Sequence, residues 1–477
     1  MPAFFSRVLR PAALLLLLPL ASATPTKLYQ PAARVAAPLQ GAQPDPQVIA
    51  QFGLYNNPKL QAYITQQGKR MTAISDRPGD YGFTIVDSPV INAFATPDGH
   101  VYFTRGIMAY FNDEAQFTGV LGHELGHITA QHGKKQQRNS ILSSILVGVA
   151  TMASPNLLGR IAQPAAQLVS LKYSRGDENE ADGLGVKYST KVGYDASHMA
   201  NFFQTLERTE QQSGGSTPAF LSTHPSSADR YERVKQLAAQ AQQSLGKRTL
   251  LVNRDGYLRS LEGLPFGDDP RQGFVENSVF YHPDLKFRFP IPAGWKSQNS
   301  PEQFQMSEPN GKALLAFMGV GGSSLEEAAQ TLAKQIGVTP GTARRTTING
   351  LPALVFEGDQ QASQDQQSTP AHVQSYIIQD GKSMFAFVGL ATAATFGTYA
   401  PQFASAAQGY QRLTEASKLN RQAERVHIKQ AKTATTLSAA LTANGVPGKR
   451  LEEEAILNGM QLTDRLPAGT LFKVIGQ

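Results

Sequence analysis

The string His123-Glu124-Leu125-Gly126-His127 places two imidazoles four residues apart, with a carboxylate next to the first. On a helix that spacing brings both rings to one face. Both can then reach one ion while Glu124 is aimed beside it, a geometry that suits zinc with a general base. A catalytic zinc keeps three protein ligands and leaves one position open for water, so a third ligand is needed. The chain has no cysteine, which removes thiolate ligands together with thiol catalysis and disulfides. The third ligand must then be His, Asp or Glu. The acidic run Asp177-Glu178-Asn179-Glu180-Ala181-Asp182 supplies it. Glu178 and Asp182 are four apart, so one can ligate while the other supports a ligand histidine from behind.

The helix that must carry the histidines starts at a cap at Asn112 or Asp113 and is expected to run to about Arg138, with Phe117, Leu121, Leu125 and Ile128 as its core stripe. At about 100° per residue both histidines fall well off that stripe, so their face is expected to open onto a cleft. Gly119, Gly122 and Gly126 lie beside the histidine face. Each weakens a helix by about 1 kcal/mol, and together they predict close approach of a neighbouring segment. Upstream, helical periodicity over residues 48–74 breaks near Asn57-Pro58. Residues 84–86, 90–95 and 101–104 read as short strands, the last two joined by a turn at Pro97-Asp98-Gly99. Downstream, the apolar stretch 141–153 is too short for a membrane span and reads as a core or lid helix. Helical patterns resume over 177–191, 196–212 and 226–245.

With 477 residues and 41% hydrophobic content, the chain has room for two to four domains and is not disordered as a whole. Its formal charge of +7 falls to about +5 without Arg7 and Arg10. That is too mild for a nucleic-acid partner. It is compatible with anionic cell-wall polymers or lipid headgroups, and so with peripheral membrane association. Residues 1–23 show the charged, apolar and small-residue order of a secretory signal, with cleavage expected after Ala23. The chain is therefore expected to be secreted across an inner membrane, to a periplasmic or outer-membrane-associated location. A low-complexity linker spans 24–45, the metal-site domain 46–250, and a Gly/Pro-rich linker 251–276. Strand-like runs around two helices make 277–415 an α+β accessory domain. Residues 426–477 fit a small βααβ module.

Four motifs in chain order, Asn92-Ala93-Phe94 ahead of residues 99–106, His123 to His127, Tyr173-Ser174-Arg175 leading into Glu178-x-x-x-Asp182, and Thr223-His224-Pro225, resemble the gluzincin metalloproteases of the HtpX/BepA type, relatives of the CAAX prenyl endopeptidase. The resemblance covers roughly residues 45–245. It implies a mostly helical zincin domain with a small sheet, binding one Zn²⁺ through His123, His127 and Glu178. It also implies Glu124 as general base and Asp182 orienting a ligand histidine, with Glu180 the fallback ligand. His224 matches an extra, self-inhibitory ligand that must move before substrate binds, and Arg230 a basic residue that anchors the loop or the site. His132 matches relatives too, with a capping or core role expected. Asn92, Ala93 and Phe94 would lie on an exposed edge strand onto which a peptide substrate adds. Tyr173 and His224 are the candidates for oxyanion stabilisation. The implied activity is zinc-dependent endopeptidase cleavage of misfolded or unassembled envelope proteins.

Two weaker likenesses concern the remainder. The stretch that opens with residues 287–295 resembles a PsbP-like α/β domain. The last fifty or so residues resemble a LysM module, which implies binding of N-acetylglucosamine glycans such as peptidoglycan, although Thr433-Ala434-Thr435 stands where that module usually reads Gly-Asp-Thr. The tetratricopeptide repeats of BepA are not seen here, which weighs against a chaperone role. The competing functions are a wall-binding or chaperone-like protein with little proteolysis.

Overall fold

The structure, a computed structural model, describes residues 43–134, 173–212, 218–224, 229–246, 248–341, 343–360 and 371–477. The expected signal segment, most of the 24–45 linker, the 141–153 stretch and Pro225 lie outside the described residues.

The peptidase-like part opens with helices α1 (Pro46–Phe52) and α2 (Pro58–Thr72), separated near Asn57-Pro58 as the sequence predicts. Strands β1 (Gly82–Val86), β2 (Ala93–Ala95) and β3 (His100–Thr104) form a sheet of order β1-β3-β2, with β3 parallel to β1 and antiparallel to β2. Helices α3 (Arg105–Tyr110) and α4 (Glu114–Thr129) come directly after. Asp113 caps α4 by accepting a hydrogen bond from the Gln116 N–H at 2.7 Å. The helix stops well short of Arg138, because Gln131 takes a left-handed φ of 58° that ends the run, and a fresh helical segment begins at His132.

Helices α5 (Arg175–Lys191), α6 (His198–Gln212), α7 (Ala219–Thr223) and α8 (Arg230–Leu245) surround α4. The glycines act as predicted. A Cβ on Gly126 would lie 3.1 Å from Ala181 of α5, and one on Gly119 would lie 2.6 Å from the Met199 side chain of α6. Contact at this range lets α5 lie against α4 and deliver its carboxylates to the histidines. As a result α4 is buried almost all round, with His123 and Glu124 fully covered and His127 2% exposed. The expected open cleft on the histidine face is therefore corrected: loops and helices from later in the chain close it.

Residues 251–276 are not a linker. Helix α9 (Arg254–Ser260) and strand β4 (Pro265–Phe266) belong to this body, and Tyr257, Leu261 and Leu264 are buried in the same core as Phe103, Phe111 and Phe117.

The accessory region has two sheets. One is eight-stranded, running β11 (Val338–Pro340), β13 (Leu351–Gln360), β14 (Ala371–Asp380), β15 (Ser383–Thr392), β10 (Ala313–Gly319), β9 (Gln303–Ser307), β8 (Lys296–Asn299), with β12 (Arg344–Ile348) paired to β13. The other runs β16 (Gln411–Arg412), β7 (Phe287–Pro290), β6 (Val279–His282), β5 (Phe274–Glu276). Aromatic rings of Phe287, Phe289, Phe317, Phe387 and Tyr410 fill one core, and helix α10 (Leu325–Ile336) covers a second beside the large sheet. Helix α11 (Phe396–Gln408) sits close to β15, because Gly389 leaves room for the Phe403 ring.

The C-terminal part has the expected order, with β17 (Glu424–Gln430), helices over Leu437–Ala443 and Leu451–Leu457, then a closing strand Leu471–Gly476 antiparallel to β17. It is not a separate bead. Strand β17 also pairs with β4, and Val426, Leu457 and Ile475 enter the core that holds Phe117. Lys473 is fully buried and donates from Nζ to the carbonyls of Ala109 at 2.7 Å and Phe111 at 3.1 Å, just ahead of α4. These two acceptors bond the amine, whose pKa burial holds well below the ordinary lysine value.

Candidate active site

Four elements converge. Helix α4 supplies His123, Glu124 and His127; α5 supplies Glu178 and Asp182 from one face of its first turns; α7 ends at His224; and α8 begins with Arg230. A capping box between Ser174 and Asp177 fixes the start of α5, so Glu178 falls on the first turn and Asp182 one turn on. His224 is held by its N–H donating to the Phe220 carbonyl at 2.8 Å and by stacking on the Phe220 ring at 4.5 Å.

One ligand atom each from His123, His127, Glu178 and His224 lies within 4.8 Å of the others, and all four residues are buried. The Nε2 atoms of His123 and His127 are 3.0 Å apart, and Glu178 Oε1 lies 3.4 Å from His127 Nε2 and 3.0 Å from His224 Nδ1. Lone pairs and a carboxylate oxygen thus point at one place. Both Glu124 oxygens and His224 Nε2 are buried without a hydrogen-bond partner, Oε1 and Nε2 being 3.6 Å apart. Buried polar atoms left in that state signal a missing ion or water. This all-N/O donor set fits zinc.

Behind the cluster, Asp182 Oδ1 lies 3.0 Å from His123 Nδ1, which leaves Nε2 of His123 free to ligate. Arg230 grips Asp182 through Nε to Oδ2 at 3.0 Å and Nη2 to Oδ1 at 2.8 Å. It also reaches Glu178 Oε2 at 3.0 Å and the His224 carbonyl at 3.4 Å, with its guanidinium 4.0 Å over the Phe203 ring. One buried cation therefore ties the acidic helix, the ligand carboxylate and the His224 loop together. Arg233 adds a third donor to Asp182 at 2.6 Å. Its position three residues after Arg230 on a helix is the signal by which sequence reasoning could have found it.

His132 lies in the interior and outside the ligand group, in line with the expected core position, and it also meets His127. It is buried with Nδ1 2.9 Å from His127 Nδ1, while its Nε2 faces Glu180 Oε2 at 3.2 Å and Asp177 Oδ1 at 3.4 Å. Glu180 is thereby corrected as the fallback ligand, because its side chain is 54% exposed and turned to His132. Tyr173 stacks on His127 at 3.8 Å between ring centres. Asn92, Ala93 and Phe94 are 4%, 0% and 5% exposed, so they do not form an exposed edge. The strand is only three residues long, and the start of α7 lies against it, Phe220 N–H donating to the Ile91 carbonyl at 3.0 Å.

Burial pushes the Glu124 carboxyl above its ordinary value, which favours holding a proton, against the pull of the His224 and His123 charges. Burial also works against ionisation of Glu178, but the His224 charge and hydrogen bonds from His127 and His224 outweigh it and hold the group well below the usual carboxylate range. Asp182 behaves likewise, burial being overcome chiefly by Arg230. Burial holds His127 well below the ordinary imidazole value, keeping it neutral and able to ligate.

A His-Glu-x-x-His helix, a buried glutamate on the helix packed against it and a carboxylate behind the first histidine are the arrangement of a metallopeptidase-like site. The profile of peptidase family M48 matches residues 58–238. The β-barrel assembly-enhancing protease of Yersinia pestis is 32% identical over 195 residues, 38% of this chain and 39% of that one. The metalloprotease YcaL of Escherichia coli K12 is 30% identical over 184 residues, 36% of this chain and 70% of that one. The chain belongs to peptidase family M48. It spans about two fifths of the length of the β-barrel assembly-enhancing proteases. The solution structure of cyanobacterial PsbP from Synechocystis is matched over 29% of this chain and 96% of that one, at 12% identity and a TM-score of 0.24, too slight a likeness to assign a fold family. Among the described residues no helix is long and apolar enough to cross a membrane.

Proposed function

We propose that the protein is a zinc-dependent endopeptidase of the bacterial envelope that cleaves misfolded or unassembled proteins, and that it is latent until the loop at His224 moves aside. The likeness to β-barrel assembly-enhancing proteases and the signal-like residues 1–23 support the location and the substrate class. His123, His127 and Glu178 would hold the zinc, with His224 as a fourth ligand in the resting state. When bound, zinc acts as a Lewis acid that polarises a carbonyl and lowers the pKa of water toward about 7. Glu124 takes a proton from the attacking water and passes it to the leaving amine, a role favoured by its raised affinity for protons. Asp182 and His132 fix the ring orientations of His123 and His127 from behind. Tyr173, whose ring stacks on that of His127, would be the residue that faces the developing oxyanion.

The observation that carries latency is the His224 ring, 3.0 Å from Glu178 and 3.6 Å from Glu124, filling the space beside the general base where a scissile carbonyl must come. The experiment is zinc quantification and casein hydrolysis with Glu124→Gln placed in the His224→Ala background, where the loop no longer holds the site shut. Retained zinc with hydrolysis reduced at least about 100-fold supports the reading, and undiminished hydrolysis overturns the role of Glu124. A second reading, retention on N-acetylglucosamine glycans by a LysM-like C-terminal module, is favoured by the βααβ order of that region. Peptidoglycan pull-down tests it.

A further inference from the structure

Among the described residues five large aliphatic side chains are exposed: Leu54, Val90, Leu251, Val275 and Leu285. Four of the five line a single trough. Val90 and Val275 line a cavity of about 850 Å³ between the peptidase body and the accessory region, and Leu54 and Leu285 line an adjoining one of about 830 Å³. The two adjoin along walls that they share, formed by Phe280, Pro301 and Phe304. Scattered exposed aliphatics are ordinary on a protein surface, but their concentration along one trough marks an interaction site.

The walls say what would lie there. Strand β8, all four residues exposed, is the edge of the eight-stranded sheet, and β5 is the edge of the four-stranded one. Ser297, Asn299 and Val275 from these edges line the trough. An edge strand offers backbone N–H and C=O groups to an extended chain, with alternate side chains finding apolar pockets. An acyl chain makes no use of such groups. The trough reaches Val90, the neighbour of Ile91, whose carbonyl holds the start of the helix that ends at His224.

We propose that this trough is an exosite that binds an extended, unfolded polypeptide with apolar side chains, holding the substrate chain away from the cleavage point. The proposal deepens the endopeptidase reading and rests on it for the identity of the occupant. Its test does not require turnover. Fluorescently labelled β-casein is titrated by anisotropy with the full chain carrying Glu124→Gln, alone and combined with Leu54→Ser/Val275→Ser/Leu285→Ser. Leu251→Ser, the exposed aliphatic outside the trough, serves as control. Thermal unfolding of each variant checks folding, and the exposed positions are expected to leave it unchanged. The expected result is at least tenfold weaker casein binding by the triple variant and a change within twofold for Leu251→Ser. Equal binding by the two overturns the proposal. So does a triple variant that keeps casein but loses phosphatidylglycerol vesicles, which would assign the trough to lipid. Trough-dependent casein binding by a His224→Ala variant that holds zinc yet never cleaves casein would instead sink the peptidase reading and leave the trough standing.

Discussion

His224 Nδ1 lies 3.0 Å from Glu178 Oε1, which brings the end of a loop helix into contact with a carboxylate on the helix that faces the His-Glu-x-x-His motif. The contact is buried, and Arg230 braces it by reaching both Glu178 and the His224 backbone. Opening the site therefore means breaking contacts made by one cation.

Arg230→Met removes the charge that faces Asp182 and Glu178 inside the protein. Two buried carboxylates are then left without their compensating guanidinium, and a loss of about 3–5 kcal/mol is expected. Urea unfolding of the zinc-free protein measures it. A change below about 1 kcal/mol would mean that Arg233 and the histidines suffice to hold Asp182.

His198 Nδ1 lies 2.7 Å from Asp113, the cap of the catalytic helix, and that hydrogen bond raises the imidazole pKa above the ordinary 6.5 despite partial burial. A pKa raised on folding contributes stability that is complete below about 6.5 and fades as pH rises through the higher folded value. His198→Gln should therefore lower the urea midpoint more at pH 5.5 than at pH 9. An equal loss at both would show that the pair acts only as a neutral hydrogen bond.

Leu457 sits in the C-terminal part yet is buried in the core that contains Phe117. Leu457→Ala should cost about 2–5 kcal/mol in a transition that unfolds the peptidase domain together with the C-terminal strands. Two separate transitions, only one of them shifted, would show that the C-terminal part folds independently.

The histidine pair, Glu124 and the acidic helix are legible in the sequence because their spacing is local: residues four apart on a helix share a face wherever the helix goes. The small glycines on α4 announce close helix packing for the same reason. The closure of the site is not legible from periodicity, which carries no information about contacts made from about a hundred residues downstream: His224 and Arg230 are reached only through the family resemblance, and Phe220 not at all. The role of His132 is hidden because a helix drawn unbroken to Arg138 turns it away from His127, whereas the left-handed Gln131 swings it back. Residues 251–276 have the Gly and Pro content of a linker, but Tyr257, Leu261 and Leu264 recur at helical spacing and are the signal that they enter a core. Strand β8 gives no sign of itself because its four residues are polar and exposed and show no alternation.

The central claim is a competent zinc site held shut by His224. The most direct measurement compares casein hydrolysis by wild type and His224→Ala at equal, quantified zinc, with Glu124→Gln added to His224→Ala as the background. A rise of at least about tenfold in His224→Ala, abolished by Glu124→Gln and with zinc retained in all three, is the predicted result. Lower activity in His224→Ala than in wild type, at full zinc occupancy, would contradict it and make His224 part of the working site.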